Sequence, residues 1–199
     1  MYAVGHLALG YLSGKTASKI LNVNINIPLL FLASVLPDID LLIPGLHHRG
    51  PLHSVMLFCL LFLPVFVLFK KRAIPYFVAL IQHILIGDYL TGWTQLLWPV
   101  TTGWYGLGME ITSITNILIE WALFLTSTAI LFKTRDAWFL FQQHPSNMIL
   151  AIPVLTVLLP TLLSFPLYVS LELIIPHLSY MALFTYSILT DLRAIFTKT

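Results

Sequence analysis

The chain runs apolar, again and again, for about the thickness of a lipid bilayer. A spanning helix needs about 20 predominantly apolar residues, with a range near 17–25. Residues 114–132, 148–169 and 173–191 each satisfy that requirement. Residues 52–69 form another run, closed by Lys70-Lys71-Arg72, and residues 73–98 a longer one interrupted by His83, Gly87 and Asp88. Residues 27–43 are apolar but carry Pro37, Asp38 and Asp40 near their end. Residues 2–20 read as a small-residue helix (Ala3, Gly5, Ala8, Gly10, Ser13, Gly14, Ala17) suited to close packing against other helices. The expectation is an all-α polytopic transmembrane bundle, a single integral-membrane domain over residues 1–199. It has six to seven apolar segments, the first two being candidates for short or re-entrant ones.

Composition supports the bilayer as solvent: 58% of the residues are hydrophobic and 9% charged. Net charge is +2 and no basic stripe occurs, so nucleic-acid binding has no support. The lone Cys59 sits inside an apolar run and is expected to act as a small buried hydrophobe. The opening MYAVGHLALGYLSGK lacks a positive leading region and a small-residue cleavage site, so it is expected to be retained. Basic residues group at 15 and 19, 70–72, 133 and 135, and 193 and 198. Threading seven spans puts all four groups on one side, which the positive-inside rule makes cytoplasmic. The opposite side then receives the N-terminus and the 38–53 and 99–113 loops. Trp93, Trp98, Trp104 and Tyr105 fit an aromatic belt at that interface.

Against this apolar background, five of the seven histidines and three of the five aspartates fall within the first 88 residues. Ionisable groups at membrane depth cost several kcal/mol unless paired, hydrated or bound to an ion. Imidazole with carboxylate is the ligand set of Zn²⁺, Mn²⁺ or Fe²⁺ sites. Asp38 and Asp40, two apart in SVLPDID, point the same way if that segment is extended, and can chelate a cation. His47, His48, Arg49 and His53 follow around a Gly50-Pro51 turn, with Ser54 as the N-cap of the next helix. His48 is favoured over His47 as a ligand, because its spacing to His53 allows a loop chelate. Arg49 suits bidentate binding of a phosphate or carboxylate, including one of the aspartates. His83 and Asp88 are five apart and diverge by about 140° on a regular helix. A one-residue bulge near Gly87 would bring them onto one face; otherwise they serve two ions, or Asp88 orients a histidine. Glu120 interrupts an apolar run and needs a partner in the bundle interior. His144 lands in an interfacial stretch, DAWFLFQQHPSN, and His177 reads as a polar group within the bundle.

Taken in order, His6 within GHLALGY, then ASVLPDID, HHRGPLHS, His83 and DYLTGWTQLLWP resemble the YdjM-type membrane-bound metal-dependent hydrolases. That family is also described as LexA-regulated and inner-membrane-associated, and its motif order is similar to that of the zinc-dependent phospholipase C group. The resemblance covers roughly residues 1–125; the spans at 148–169 and 173–191 are additions to it. It implies a divalent-metal site held by His6, Asp38, Asp40, His48, His53, His83 and Asp88, with Arg49 beside it. The chain departs from the family pattern at Leu52, where Thr is usual, and in separating His83 from Asp88 by five positions where four is usual.

The function expected is a metal-dependent hydrolase of the inner or plasma membrane, its site toward the non-cytoplasmic face. One to three ions, Zn²⁺ first with Mn²⁺ or Fe²⁺ as alternatives, would activate water. Asp38 or Asp40 would serve as base and Arg49 would hold the anionic part of the substrate. Membrane lipids are the expected surroundings, and a small-molecule or lipid phosphoester the expected substrate. The rival class is a metal-ion or proton-coupled transporter or metal-handling protein, since intramembrane His and Asp also mark ion pathways. A structural metal is the third possibility.

Overall fold

Helix α1 (Ala3–Leu21) is the hub of the structure, a computed structural model that describes residues 1–163 and 169–197. Its small residues explain why. A side chain on Gly10 would collide with Ser34, and one on Gly14 with Leu30, so the backbone of α1 lies directly against α2 (Ile27–Val35). The same helix packs along α4 (Ile74–Thr91) and α5 (Ile114–Lys133). Close backbone approach through small residues is the usual basis of helix association in lipid.

Proline and glycine set the element ends. Asn26 caps α2 by accepting from the Leu29 amide, with Pro28 in the first turn. Pro37 then switches the chain to a 3-10 helix, Leu36–Leu42, which carries Asp38 and Asp40. A further 3-10 turn, Pro51–His53, leads into α3 (Val55–Phe69), where Ser54 is the N-cap through its contact with the Leu57 amide. Of α3 only Phe58 is fully buried; Val55, Leu57, Phe62, Val65 and Phe66 are partly buried, and the other residues of the helix are exposed. Cys59 is exposed on this helix rather than buried as expected, on a surface a bilayer would cover. Helix α4 ends at Thr91, short of the expected 98, because Gly92 takes an extended conformation. Residues 92–113 form a long loop with one antiparallel bridge between Thr94 and Tyr105. Trp93, Trp104 and Tyr105 are exposed on it.

Beyond α5 come a short helix α6 (Asp136–Phe141), then α7 (Pro145–Leu162) and α8 (Ile174–Thr197). Residues 164–168, near the end of the expected 148–169 span, and residues 198–199 lie outside the described residues. All regular elements among the described residues are helical. Among the described residues four helices are long and apolar enough to cross a membrane: Ile74–Thr91, Ile114–Lys133, Pro145–Leu162 and Leu171–Leu192. The expected six to seven reduce to these four by length and composition. The three N-terminal segments fall short for different reasons. Lysines and small polar residues dilute α1, Pro37 halts α2 after 9 residues, and α3 stops after 15.

Candidate metal centre

Three breaks in helical regularity bring the polar cluster together. The 3-10 helix at Leu36–Leu42 turns i and i+2 about 240° apart. Asp38 and Asp40 therefore leave the backbone in different directions, yet both carboxylates reach His53 and remain near enough together to hold one ion, as expected. Asp38 faces His83 and Asp40 faces His48, with His53 between them. The Pro51–His53 turn sets His53 at the head of α3, fully buried. In α4, residues His83–Asp88 form a π-helical turn. The extra residue of that turn absorbs the five-residue spacing, so His83 and Asp88 share a face.

The centre of the cluster is four atoms. His83 Nε2 lies 3.2 Å from Asp38 Oδ1 and 3.2 Å from Asp88 Oδ2. His53 Nε2 lies 3.0 Å from Asp88 Oδ2 and 3.5 Å from Asp38 Oδ1. Ligands about 2.05 Å from a tetrahedral ion sit about 3.3 Å from one another, so these separations match such a shell. Asp38, Asp40, His48 and His53 form a second group, also with ligand atoms near enough together to hold an ion.

Tautomers support the same arrangement. A backbone carbonyl only accepts, so His83 Nδ1 donates to Ser34 O at 2.8 Å and Nε2 turns its lone pair inward. Asp40 Oδ2 lies 3.1 Å from His53 Nδ1, and Asp40 Oδ1 3.1 Å from His48 Nδ1. A carboxylate holding the far nitrogen of an imidazole is the usual partner of a metal-bound histidine.

A divalent ion also fits what the side chains leave unsatisfied. His53 Nε2, His83 Nε2 and Asp88 Oδ2 are buried and lack a hydrogen bond of acceptable geometry, although they lie at contact distance. Buried polar atoms are nearly always satisfied, so such a convergence calls for a missing partner. Charge gives the same answer. The three carboxylates of Asp38, Asp40 and Asp88 face the Arg49 guanidinium and the Met1 ammonium, each within ion-pair distance of Asp88, which leaves an excess of negative charge in a buried site. Buried charge is tolerated when paired or bound to a metal.

The remaining residues form the surroundings of this core. His6 stacks on His83 with ring centroids 3.6 Å apart, its Nε2 3.6 Å from Asp88 Oδ1. Gly87 makes room for it, since a side chain there would occupy the imidazole ring. Arg49 has φ +65°, uncommon for a residue with a side chain. Its Nη2 lies 3.0 Å from Asp88 Oδ1, and its Nη1 donates to Thr91 O at 3.0 Å. Its Nε is buried without a partner. His47 is exposed, whereas His48 is only partly so. His144 pairs with Ser146, and His177 donates to Leu158 O at 2.9 Å; both lie apart from the cluster.

Three contributions go beyond what the sequence assigns: it does not single out Ser34 or Gln82, and it singles out Glu120 without its partners. Ser34 orients His83 through its backbone, which no side-chain pattern reveals. Gln82, buried beside His83, donates to His6 O at 3.3 Å; a polar residue inside an apolar run was its signal. Glu120 accepts from the Tyr2 amide at 2.8 Å, the Gly5 amide at 2.9 Å and Asn116 Nδ2 at 2.9 Å. Helix α1 has no capping side chain of its own. Glu120 supplies one from across the bundle and so fixes the helix that carries His6.

Comparisons with known proteins agree with this arrangement at the level of family. No curated protein and no solved structure matches the chain. A family model, described as YdjM inner membrane protein, matches residues 1–169. That is further than the motif-bearing stretch of about 1–125, and it takes in α5 and α7 as well as every residue of the cluster. With most of its length matched, the chain belongs to the YdjM inner membrane protein family.

Proposed function

We propose that this protein is a membrane-embedded, divalent-metal-dependent hydrolase of phosphoester or lipid-type substrates. The observation that carries the reading is the convergence of Asp38, His53, His83 and Asp88 on one buried point, where His53 Nε2, His83 Nε2 and Asp88 Oδ2 are left unsatisfied. Zn²⁺ suits a shell of two imidazoles and two carboxylates, with Mn²⁺ or Fe²⁺ as alternatives. One ion belongs in this inner group, and a second in the outer group when His48 joins it. A divalent ion there supplies Lewis-acid polarisation of a phosphoryl or carbonyl oxygen and a more acidic water.

The protein's own groups do the rest. Asp40 orients His48 through a hydrogen bond at its Nδ1 and lies 3.1 Å from His53 Nδ1, within ion-pair distance. Arg49 neutralises Asp88 and presents its free Nε–H beside the centre, where it can donate to a substrate anion. Asp38 and Asp40 are the carboxylates available to take a proton from water. Substrate reaches the centre from the side of the 41–48 loop. A hollow of about 280 Å³ lies there, bounded by Asp40, Ile43, Pro44, Leu46 and His48. Leu42, Ile43 and Leu46 are exposed on the same loop, an apolar rim suited to a lipid surface. His6 sits near one end of α1 while Lys15 and Lys19 occupy the other, and Lys70–Arg72 sit at the end of α4 away from Asp88. That polarity supports a site toward the non-cytoplasmic face.

The test is metal content by mass spectrometry of detergent-purified protein, with His53→Ala and Asp88→Ala alongside wild type. Stoichiometric metal in wild type that is lost in both variants is expected, followed by metal-dependent cleavage of phospholipid or model phosphoesters. Absence of metal after reconstitution with Zn²⁺ and Mn²⁺ would overturn the reading. Bound metal without hydrolysis, together with Zn²⁺ uptake into proteoliposomes, would reassign the site to transport.

A further inference from the structure

Away from the metal centre, α2, α3 and α4 enclose an apolar cavity of about 380 Å³. That volume lies within the ~300–1,000 Å³ typical of small-ligand sites. Phe62 and Phe66 of α3 pack on Phe77 of α4 and hold those two helices together, leaving the cavity open between them and α2. Leu32, Val65 and Leu80 are among its apolar walls, and Asn24, Arg72 and Tyr76 line it as well. A second, polar hollow adjoins it, lined by Asn22, Val23, Asn24, Lys71 and Arg72. Asn24 and Arg72 belong to both, so the apolar cavity meets a cationic mouth.

No ion pair among the described residues uses those cations. Lys70, Lys71 and Arg72 form the 3-10 turn between α3 and α4 and are unburied. Among the described residues none of them has a carboxylate within ion-pair distance. Arg72 precedes His83 by eleven residues, about 16 Å along a helix, so this mouth is separate from the metal centre. A basic cluster flanking an apolar helix marks a membrane interface and attracts anionic headgroups.

We propose that this is a binding site for one anionic phospholipid, with an acyl chain in the apolar cavity and the headgroup phosphate on Arg72 and Lys71. The charge at the mouth selects the occupant. A zwitterionic lipid brings its phosphate together with an ammonium that Arg72 and Lys71 repel, and a free phosphate leaves the apolar cavity unfilled. The site is independent of what the metal centre does.

Native mass spectrometry of the full chain in non-ionic detergent tests it, with dioleoyl phosphatidylglycerol against dioleoyl phosphatidylcholine. Wild type is expected to retain one phosphatidylglycerol roughly tenfold better than phosphatidylcholine. Lys71→Gln with Arg72→Gln removes that preference and leaves phosphatidylcholine retention unchanged. Val65→Trp fills the cavity and lowers retention of both lipids. Leu61→Trp, on the exposed side of α3 outside the cavity, changes neither. Equal retention of the two lipids by wild type would overturn the proposal, as would a preference that survives the double substitution. Retention unaffected by Val65→Trp would assign the lipid to the outer annulus and do the same. The double substitution alters only exposed side chains, so it remains informative if Val65→Trp fails to fold.

Discussion

Each half of the chain buries a histidine against a backbone carbonyl next to a π-helical turn, and the two histidines have opposite fates. His83 donates to Ser34 O and opens the turn His83–Asp88; His177 donates to Leu158 O, the last residue of the turn Val154–Leu158. Both are fully buried. The difference is the other ring nitrogen. That of His83 faces two carboxylates, whereas that of His177 has no partner. In the C-terminal half Thr156, Thr161, Ser179 and Ser187 donate to carbonyls four residues back and Ser127 pairs with Tyr180, while the unsatisfied Asn147 Oδ1 and Asp191 Oδ2 belong to neither group able to hold an ion. In the N-terminal half the unsatisfied atoms are gathered on one point. A buried polar residue in lipid is therefore not in itself evidence of a site. Convergence of unpaired lone pairs is.

The contrast is most severely tested by exchanging the two histidines for alanine. His83→Ala is expected to abolish stoichiometric metal, measured by mass spectrometry, while His177→Ala retains it in full. Equal metal in both would erase the distinction. Next in size is Glu120→Ala, which leaves the Tyr2 and Gly5 amides buried without an acceptor. Thermal unfolding in detergent is expected to show a loss of about 2–4 kcal/mol. Metal retention should fall with it, because α1 carries His6; unchanged stability would mean that α1 is held by packing alone. His177→Ala is expected to cost about 0.5–1.5 kcal/mol through one lost hydrogen bond, since the Leu158 carbonyl keeps the Thr161 hydroxyl as a donor, and to leave metal content unchanged. The smallest effect is at His47, exposed beside His48: His47→Ala should change neither metal content nor melting temperature. A loss there would move the outer group by one residue.

What the sequence discloses and what it hides divide along physical lines. The cluster was legible because charge in an apolar chain is costly, so His6, Asp38, His53, His83 and Asp88 stood out without any fold. The irregularity of α4 was legible for a similar reason: only a bulge brings His83 and Asp88 onto one face. The number of long helices was not, because an apolar window measures greasiness and is blind to where a helix stops. Gly92 ends α4 within a run that stays apolar to 98, and Pro37 ends α2 within one that reaches 43. The direction of Asp38 and Asp40 was missed because it depends on a 3-10 twist that two carboxylates do not encode. The partner of Glu120 lies more than a hundred residues away in sequence, and no local pattern reaches that far.

That last contact sets an order on how the molecule is made. Helix α1 leaves the ribosome long before Glu120 does, and until then its first amides have no acceptor in the chain. The cluster residues from His6 to Asp88 are all synthesised earlier, yet the helix bearing the first of them is secured only when α5 arrives. Assembly of the cluster is thereby tied to insertion of a helix that contributes nothing to it directly, and a chain stalled before residue 120 would hold every residue of the cluster without a fixed frame.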